Sequence, residues 1–363
     1  MKPQISPFQY SILIANFLFT GTLISLPQVL VQIAEQNAWM VPFISYPIII
    51  LIIFLGIGRS RKLKNKISTE IGNSSPYMEK IFGIFMLLFL SLAFIRDVRA
   101  LADFVVSSLL PSTPIEILTV LSVLTVIYIV HNGLEVITRI TVIQFIVLAT
   151  VIILLPFMLS NEIEFNNLQP ILGSSAFPSL FQSSYLLIAW LGEVVIVFLL
   201  IPYIKPIKHI KKISILGALF AMILLFILLI LELAVLGADI TKVSTFPNYQ
   251  LIQQINITDF LDRLDLIIVT VWAPTLFCKI ALTLYCINKS LSYIKGSESS
   301  HLVLPMGLFL GTLAILLFKN NIQLLEFSFY TWATIGLFLE ICIVGIFILM
   351  RIKNKHQKQK VTD

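Results

Sequence analysis

From Pro3 to Ala34 the chain carries no Asp, Glu, Lys, Arg or His. A stretch of about 20 apolar residues is enough to cross the hydrocarbon core of a bilayer, and such stretches recur to the end of the sequence. The pattern predicts ten membrane-spanning helices, at about 8–33, 38–58, 80–110, 114–131, 139–160, 179–204, 212–237, 264–288, 302–318 and 327–350. The fourth is short, and the third is long with charges in its second half. The runs are continuous and rich in Leu and Ile, without the two-residue alternation of a membrane β-barrel. The first run exceeds the apolar core of a signal peptide, roughly 7–15 residues, and reads as a retained span. The expected fold is therefore an all-α polytopic membrane protein.

Two spans carry weak points. Thr20-Gly21-Thr22 and Pro27 interrupt the first, and Gly192-Glu193 interrupts the sixth near its middle. Glycine and proline are poor helix material. If ten spans form two five-span repeats, at about 8–160 and 179–350, the first span of each repeat has a glycine-centred break at similar depth. Paired interruptions of this kind point to a transporter-like site at the membrane midplane. A broken helix exposes amides that attract carboxylates and carbonyls that attract ammonium groups. The competing reading of Gly21 is a packing notch, where a small residue lets two helices approach closely.

Composition and charge fit the span pattern. Hydrophobic residues make up 58% of the 363-residue chain and charged residues 12%, and the mean hydropathy is +0.97. With both termini on the cytoplasmic side, nineteen of the 25 basic residues fall in cytoplasmic loops or in the basic tail at 351–363, as Lys/Arg bias requires. The net charge of +6 is thus a topology signal and an attraction to anionic headgroups. A nucleic-acid partner has no domain to bind. The outer loops Asn161–Pro178 and Ala238–Arg263 are too short for an independent domain. No phosphate-cradling loop, HExxH or Ser-His-Asp spacing occurs, so neither an enzyme nor a cofactor is expected. The three cysteines lie in apolar segments and read as core residues, and the four histidines show no metal-ligand spacing.

Several charges lie within spans. Glu193, Lys279 and Glu340 each sit near a span centre, at a cost of about 3 kcal/mol apiece unless paired, neutralised or hydrated. Lys279 is a salt-bridge partner for either glutamate, or a deprotonatable amine standing where a coupling cation would bind. A structural ion pair is the plainer alternative. Glu232, nearer the outer end of its span, reads as interfacial. In the third span Arg96, Arg99 and Asp103 share one helical face, Arg99–Asp103 forms an i,i+4 pair, and Asp97 points elsewhere. That face suits a wet vestibule, a partner chain or a solvated helix extension. Asn132-Gly133 marks a helix stop beside a loop residue, His131, and Pro274 a kink in the eighth span.

The chain resembles the B subunits of spore germination receptors, the endospore germination permeases of the amino acid–polyamine–organocation superfamily. The resemblance runs nearly end to end. It is carried by GTLISLP (21–27), AWM (38–40), RDVRALADFV (96–105), NGLEVITR (132–139), NNLQPIL (166–172) and AWLGEVVIVFLLIPYIK (189–205). FP (246–247), ITDFLDRLD (257–265) and VW (271–272) ahead of Lys279 complete it. Where the broader superfamily often has Gly-x-Gly in the first span, this chain has Thr-Gly-Thr.

The resemblance implies ten helices in a five-plus-five inverted repeat of the leucine-transporter type, with the first and sixth helices broken. It implies a sensor of a small nutrient, commonly an amino acid, in the spore inner membrane, acting with A-type and C-type receptor subunits. The pocket would lie between the first and sixth spans. Thr20, Gly21, Thr22, Ile188, Ala189, Trp190 and Gly192 are the candidate ligand contacts. The ligand carboxylate would meet amides near Gly21, and its ammonium would meet carbonyls near Trp190–Gly192. Glu193, Lys279, Glu340, Arg99 and Asp103 are the candidates for coupling or gating. A proton-coupled amino acid transporter and an ion- or water-conducting subunit are the alternatives.

Overall fold

The computed structural model describes residues 4–23, 25–57, 76–173, 176–205, 210–255, 265–297 and 300–362. The basic cluster Arg59–Lys66, and Lys2, Lys208 and Arg263 of the predicted loops, lie outside the described residues. So does most of the 257–265 motif.

Helices form where the apolar runs predict them. The first span is split into α1 (Pro7–Thr20) and α2 (Leu26–Ala34). A 3-10 turn at Glu35–Met40 leads into α3 (Val41–Ile57). Then come α4 (Pro76–Ser108), α5 (Ile115–His131) and α6 (Leu134–Met158). The sixth span begins as α7 (Ala176–Leu191), tightens to a 3-10 turn at Gly192–Ile196, and continues through α8 (Val197–Leu200) to a 3-10 turn at Ile201–Tyr203. The seventh, α9 (Ile210–Thr241), bends at Gly237, whose φ of 75° suits a residue without a side chain. A short loop helix, α10 (Pro247–Gln253), precedes α11 (Asp265–Lys295) and α12 (Val303–Leu316). The last span runs from α13 (Asn321–Glu326) through a π-helical turn at Phe327–Thr331 into α14 (Trp332–Thr362).

Seven of these segments are long and apolar enough to cross a membrane unaided, and α5 and α12 are shorter apolar helices. The chain is a multi-pass integral membrane protein. Large apolar side chains such as Phe54, Leu121, Ile143 and Phe338 are exposed on its outside, as contact with lipid requires. The helix stop at Asn132-Gly133 forms as expected, with Gly133 at φ 85° between α5 and α6.

Two features position the site. The start of α1 is tied to the end of the sixth span: the Ile5 amide donates to the Tyr203 carbonyl at 2.8 Å, and the Lys205 amide donates to the Ile5 carbonyl at 3.0 Å. The two broken spans therefore share one anchored end. Meanwhile α4 packs along α11 and also meets α5, α12 and α14. Residues such as Phe89, Phe94 and Val98 on its successive turns are all buried. A helix enclosed on several sides must bury whatever charges it carries.

Candidate functional site

At the first break the backbone is repaired locally. Gly21 keeps right-handed helical angles (φ −69°, ψ −25°), and the amide after it, of Thr22, donates to the Phe19 carbonyl at 3.0 Å. The Thr22 hydroxyl donates to that same carbonyl at 2.7 Å, and the Thr20 hydroxyl donates to Asn16 Oδ1 at 2.9 Å. The Thr20 carbonyl accepts from the Trp272 indole at 3.4 Å. The carbonyl end of α1 thus finds partners before α2 begins at Leu26, with Pro27 in its first turn. Proline suits that position because a first-turn amide has no helical partner to lose.

Glycine is needed at both breaks because something else occupies the space. A Cβ on Gly21 would collide with the ammonium of Lys279, from α11. A Cβ on Gly192 would overlap the carboxyl group of Glu340, from α14. Each break is pressed against an ionisable side chain from another helix.

Four charges close a ring beneath the breaks. Lys279 Nζ lies 2.9 Å from Asp97 Oδ2 and 2.9 Å from Glu193 Oε2. Arg96 Nη2 lies 2.6 Å from Asp97 Oδ1 and 2.5 Å from Glu193 Oε1. Each carboxylate spends one oxygen on each cation. The four side chains are 1–4% exposed. Taking an ion out of water costs several kcal/mol, and a buried pair recovers this only with good geometry and satisfied partners. The alternation of two cations with two anions supplies the geometry and leaves no net charge, with Arg96 Nη1 alone among the ring's nitrogens left without a partner among the described residues. The Arg96 guanidinium is also held between two indoles, 4.1 Å from the Trp190 ring and 4.7 Å from the Trp332 ring.

Above the ring is a pocket lined by Gly21, Ser25, Arg96, Asp97, Trp190, Phe246 and Ser328 among others. Trp190 is fixed in its wall by a hydrogen bond from its indole to the Ser328 carbonyl at 3.3 Å, and it stacks on Phe329. Ser328 and Phe329 lie in the π-helical turn of the last span. Such turns leave backbone groups displaced from the regular ladder and are frequent at functional sites.

Of the residues expected to contact ligand, Gly21 and Trp190 line this pocket. Thr20 and Ala189 are buried at 0% exposure and Thr22 at 1%, with both threonine hydroxyls bonded within α1 and its cap. Ile188 is half-buried and, like Ala189, is not part of the pocket lining. Gly192, Glu193, Lys279 and Glu340 gather in and around the ring. Arg99 and Asp103 stand apart. They pair at 3.0 Å, and Arg99 Nη1 donates to the Phe318 carbonyl at 2.6 Å, beyond the C-terminal end of α12.

Three readings are corrected. Asp97 does not point away from the functional face but joins the ring, because α4 has packed neighbours on both sides. Arg96, Arg99 and Asp103 do not form one wet face: they are 1%, 3% and 6% exposed and paired within the chain, and of the three only Arg96 lines the pocket. Glu232 is not interfacial but wholly buried, and neither carboxyl oxygen finds a hydrogen bond among the described residues. Sequence reasoning missed Arg96 and Asp97 as site residues. The signal was present in RDVRALAD, four charges inside a span that the bilayer should have kept apolar.

Comparison with known proteins bears on this arrangement. Residues 4–324 match the sequence model of the family described as "Spore germination protein". The putative spore germination protein YfkT of Bacillus subtilis (strain 168) is 32% identical over 320 residues, covering 86% of this chain and 88% of that protein. Spore germination protein KB of the same organism is 26% identical over 328 residues, covering 88% and 86%. Among solved structures, an outward-open, substrate-bound Na+-coupled sialic acid symporter superposes with a TM-score of 0.62 at 16% identity, covering 94% of this chain and 78% of that one. The nucleobase-cation-symport-1 family transporter Mhp1, closed on bromovinylhydantoin, gives 0.56 at 14% identity, covering 96% and 78%. Both have the leucine-transporter fold, and the chain described here shares it.

Proposed function

The chain belongs to the spore germination protein family, and on that premise we propose that it is the nutrient-sensing B subunit of a germinant receptor. Its ligand is a small zwitterion of the amino acid class, bound at the midplane between the first and sixth spans. One observation carries the reading. The pocket between the two breaks has a buried guanidinium and a buried carboxylate, Arg96 and Asp97, in its floor and an indole, Trp190, in its wall. Arg96 Nη1 has no hydrogen-bond partner among the described residues and is the natural donor for a ligand carboxylate. Asp97 is the matching acceptor for a ligand ammonium. At Gly21 helix α1 ends, and its last carbonyls, which already accept from Thr22 and Trp272, present partial negative charge that suits the ammonium. This reverses the end of the ligand that the sequence assigned to it.

The receptor assignment carries its partners with it: A-type and C-type subunits in the spore inner membrane, and both termini of this chain on the cytoplasmic side. Ligand binding would bias the equilibrium between two arrangements of the bundle only through contacts made better in one of them. The ring that joins α4, α11 and the sixth span is suited to supply that difference.

A second reading is a proton-coupled amino acid transporter. It is favoured by the position of Lys279 at the break in α1, where a tethered ammonium stands in for a soluble cation. Binding of a radiolabelled amino acid panel to purified protein, with uptake into vesicles measured in parallel, separates the two. The receptor reading expects saturable binding without uptake, lost in Gly21→Leu while the protein remains folded. Gradient-driven uptake would replace it with the transporter reading.

A further inference from the structure

The ring uses two carboxylates, and a third is buried beside it unused. Glu340 is 2% exposed, neither of its oxygens is hydrogen-bonded among the described residues, and its carboxyl group lies directly against the backbone of Gly192. The charges that act on it are Glu193, from the same 3-10 turn as Gly192, and Arg96, from α4. Two other helices packed on α14, namely α3 and α7, bring only the phenols of Tyr46 and Tyr185 among their titratable groups. Arg96 retains an unpartnered Nη1. The site thus holds a carboxyl without a donor and a guanidinium with a donor to spare, while the ring itself is already neutral.

A third carboxylate beside a neutral ring would be an uncompensated buried charge, which the interior of a membrane protein does not tolerate without a proton or a counter-ion. We propose that Glu340 is a proton-binding site, loaded with one proton while Glu193 holds Arg96. We further propose that it is the reserve partner of Arg96, releasing that proton when Glu193 lets go. The exchange balances: the proton leaves the Glu340 carboxyl and is taken up by the Glu193 carboxylate as it lets go of Arg96, so two carboxylates and one protonated carboxyl accompany Arg96 and Lys279 before and after. Gly192 is the hinge of the exchange because only glycine leaves room for the Glu340 carboxyl at the break. The inference rests on the same site as the receptor reading but needs no ligand for its test.

The test is infrared spectroscopy of the purified full-length protein in H2O and D2O at neutral pH, reading the C=O stretch of a protonated carboxyl. The difference spectrum of wild type minus Glu340→Gln should show a band that shifts in D2O, the subtraction cancelling any band from the other unpaired buried carboxyl, Glu232. Glu340→Asp, which keeps the acid, should retain a displaced band and guards against misfolding of the first variant. In Glu193→Gln the same band should vanish although Glu340 is still present, because Arg96 then takes Glu340 as its anion. A difference spectrum without the band overturns the proton site. A band that survives in Glu193→Gln overturns the exchange. Because no ligand is added, failure here leaves the binding experiment untouched, and failure of ligand binding leaves this result standing.

Discussion

Lys279 and Gly21 compete for one space: the lysine Nζ sits where a Cβ on residue 21 would have to go. The ammonium is the far end of a flexible side chain, which would ordinarily move aside. Here it is held at 2.9 Å by Asp97 and at 2.9 Å by Glu193, so displacing it opens the ring. The break in the first span and the ion network are one structure.

Gly21→Ala should therefore act as a lesion in the ring. The expected loss of stability is about 3 kcal/mol, the scale for disrupting a buried ion pair. Ligand affinity should fall at least tenfold, about 1.4 kcal/mol. Thermal unfolding in detergent and equilibrium binding read the two effects. Lost stability with unchanged affinity would leave Gly21 as a packing notch only, and a variant with wild-type stability and affinity would mean that Lys279 does not press on Gly21 in solution.

Removing one ring member strands its partners. Lys279→Met leaves Asp97 and Glu193 with one cation between them, and Asp97→Asn leaves two cations sharing one carboxylate. Each should cost about 3–5 kcal/mol. The double variant Lys279→Met/Asp97→Asn restores neutrality and should cost less than the sum of the singles, by about 1–3 kcal/mol of coupling. Chemical denaturation of all four proteins completes the cycle. Additive losses would mean that the two side chains do not interact in solution.

Trp190 has two tasks that a pair of substitutions can separate. Trp190→Phe keeps a ring near Arg96 but loses the indole donor to the Ser328 carbonyl, and Trp190→Ala loses both. A cation–π contact in a desolvated setting is worth about 1–2 kcal/mol. Affinity for the ligand should thus fall several-fold in Trp190→Phe and more steeply in Trp190→Ala, with uncharged competitors affected equally. Equal losses in the two variants, read by the same binding assay, would put the whole effect on the hydrogen bond.

The spans and the breaks were legible because both depend on local information. An apolar run of sufficient length declares a span, and a glycine between hydroxyls or beside a glutamate in such a run declares a weak point. What Gly21 and Gly192 face was not legible, because that requires the register of α11 and α14 against the broken spans. Asp97 was assigned to the wrong side for a related reason. A helical wheel assumes one buried face, and α4 is packed on several. The 100° that separates neighbouring residues on a helix then separates two buried directions, not a buried one from an exposed one. Glu232 was misplaced likewise, since its distance from the span end says nothing of the loop helix α10 packed on α9.

Arg99 and Asp103 provide the contrast that tests the assignment of the ring. They form a buried pair on the same helix as Arg96 and Asp97, yet Arg99 directs its Nη1 to the Phe318 carbonyl at 2.6 Å and the Ala314 carbonyl at 3.5 Å. Carbonyls at a helix C-terminus lack helical partners and carry partial negative charge, so a guanidinium there both caps and neutralises them. This is a tie between α4 and α12, and neither Arg99 nor Asp103 is among the residues that line the pocket. Arg99→Met should cost about 3 kcal/mol, since it strands Asp103 and uncaps α12. The double variant Arg99→Met/Asp103→Leu should cost less, because no unpaired charge is left. Both proteins should bind ligand with wild-type affinity once folded, in contrast to Lys279→Met. If Arg99→Met weakens binding as strongly as Lys279→Met at equal loss of stability, the two charge clusters act as one gate, and the separation drawn here between ring and cap is wrong.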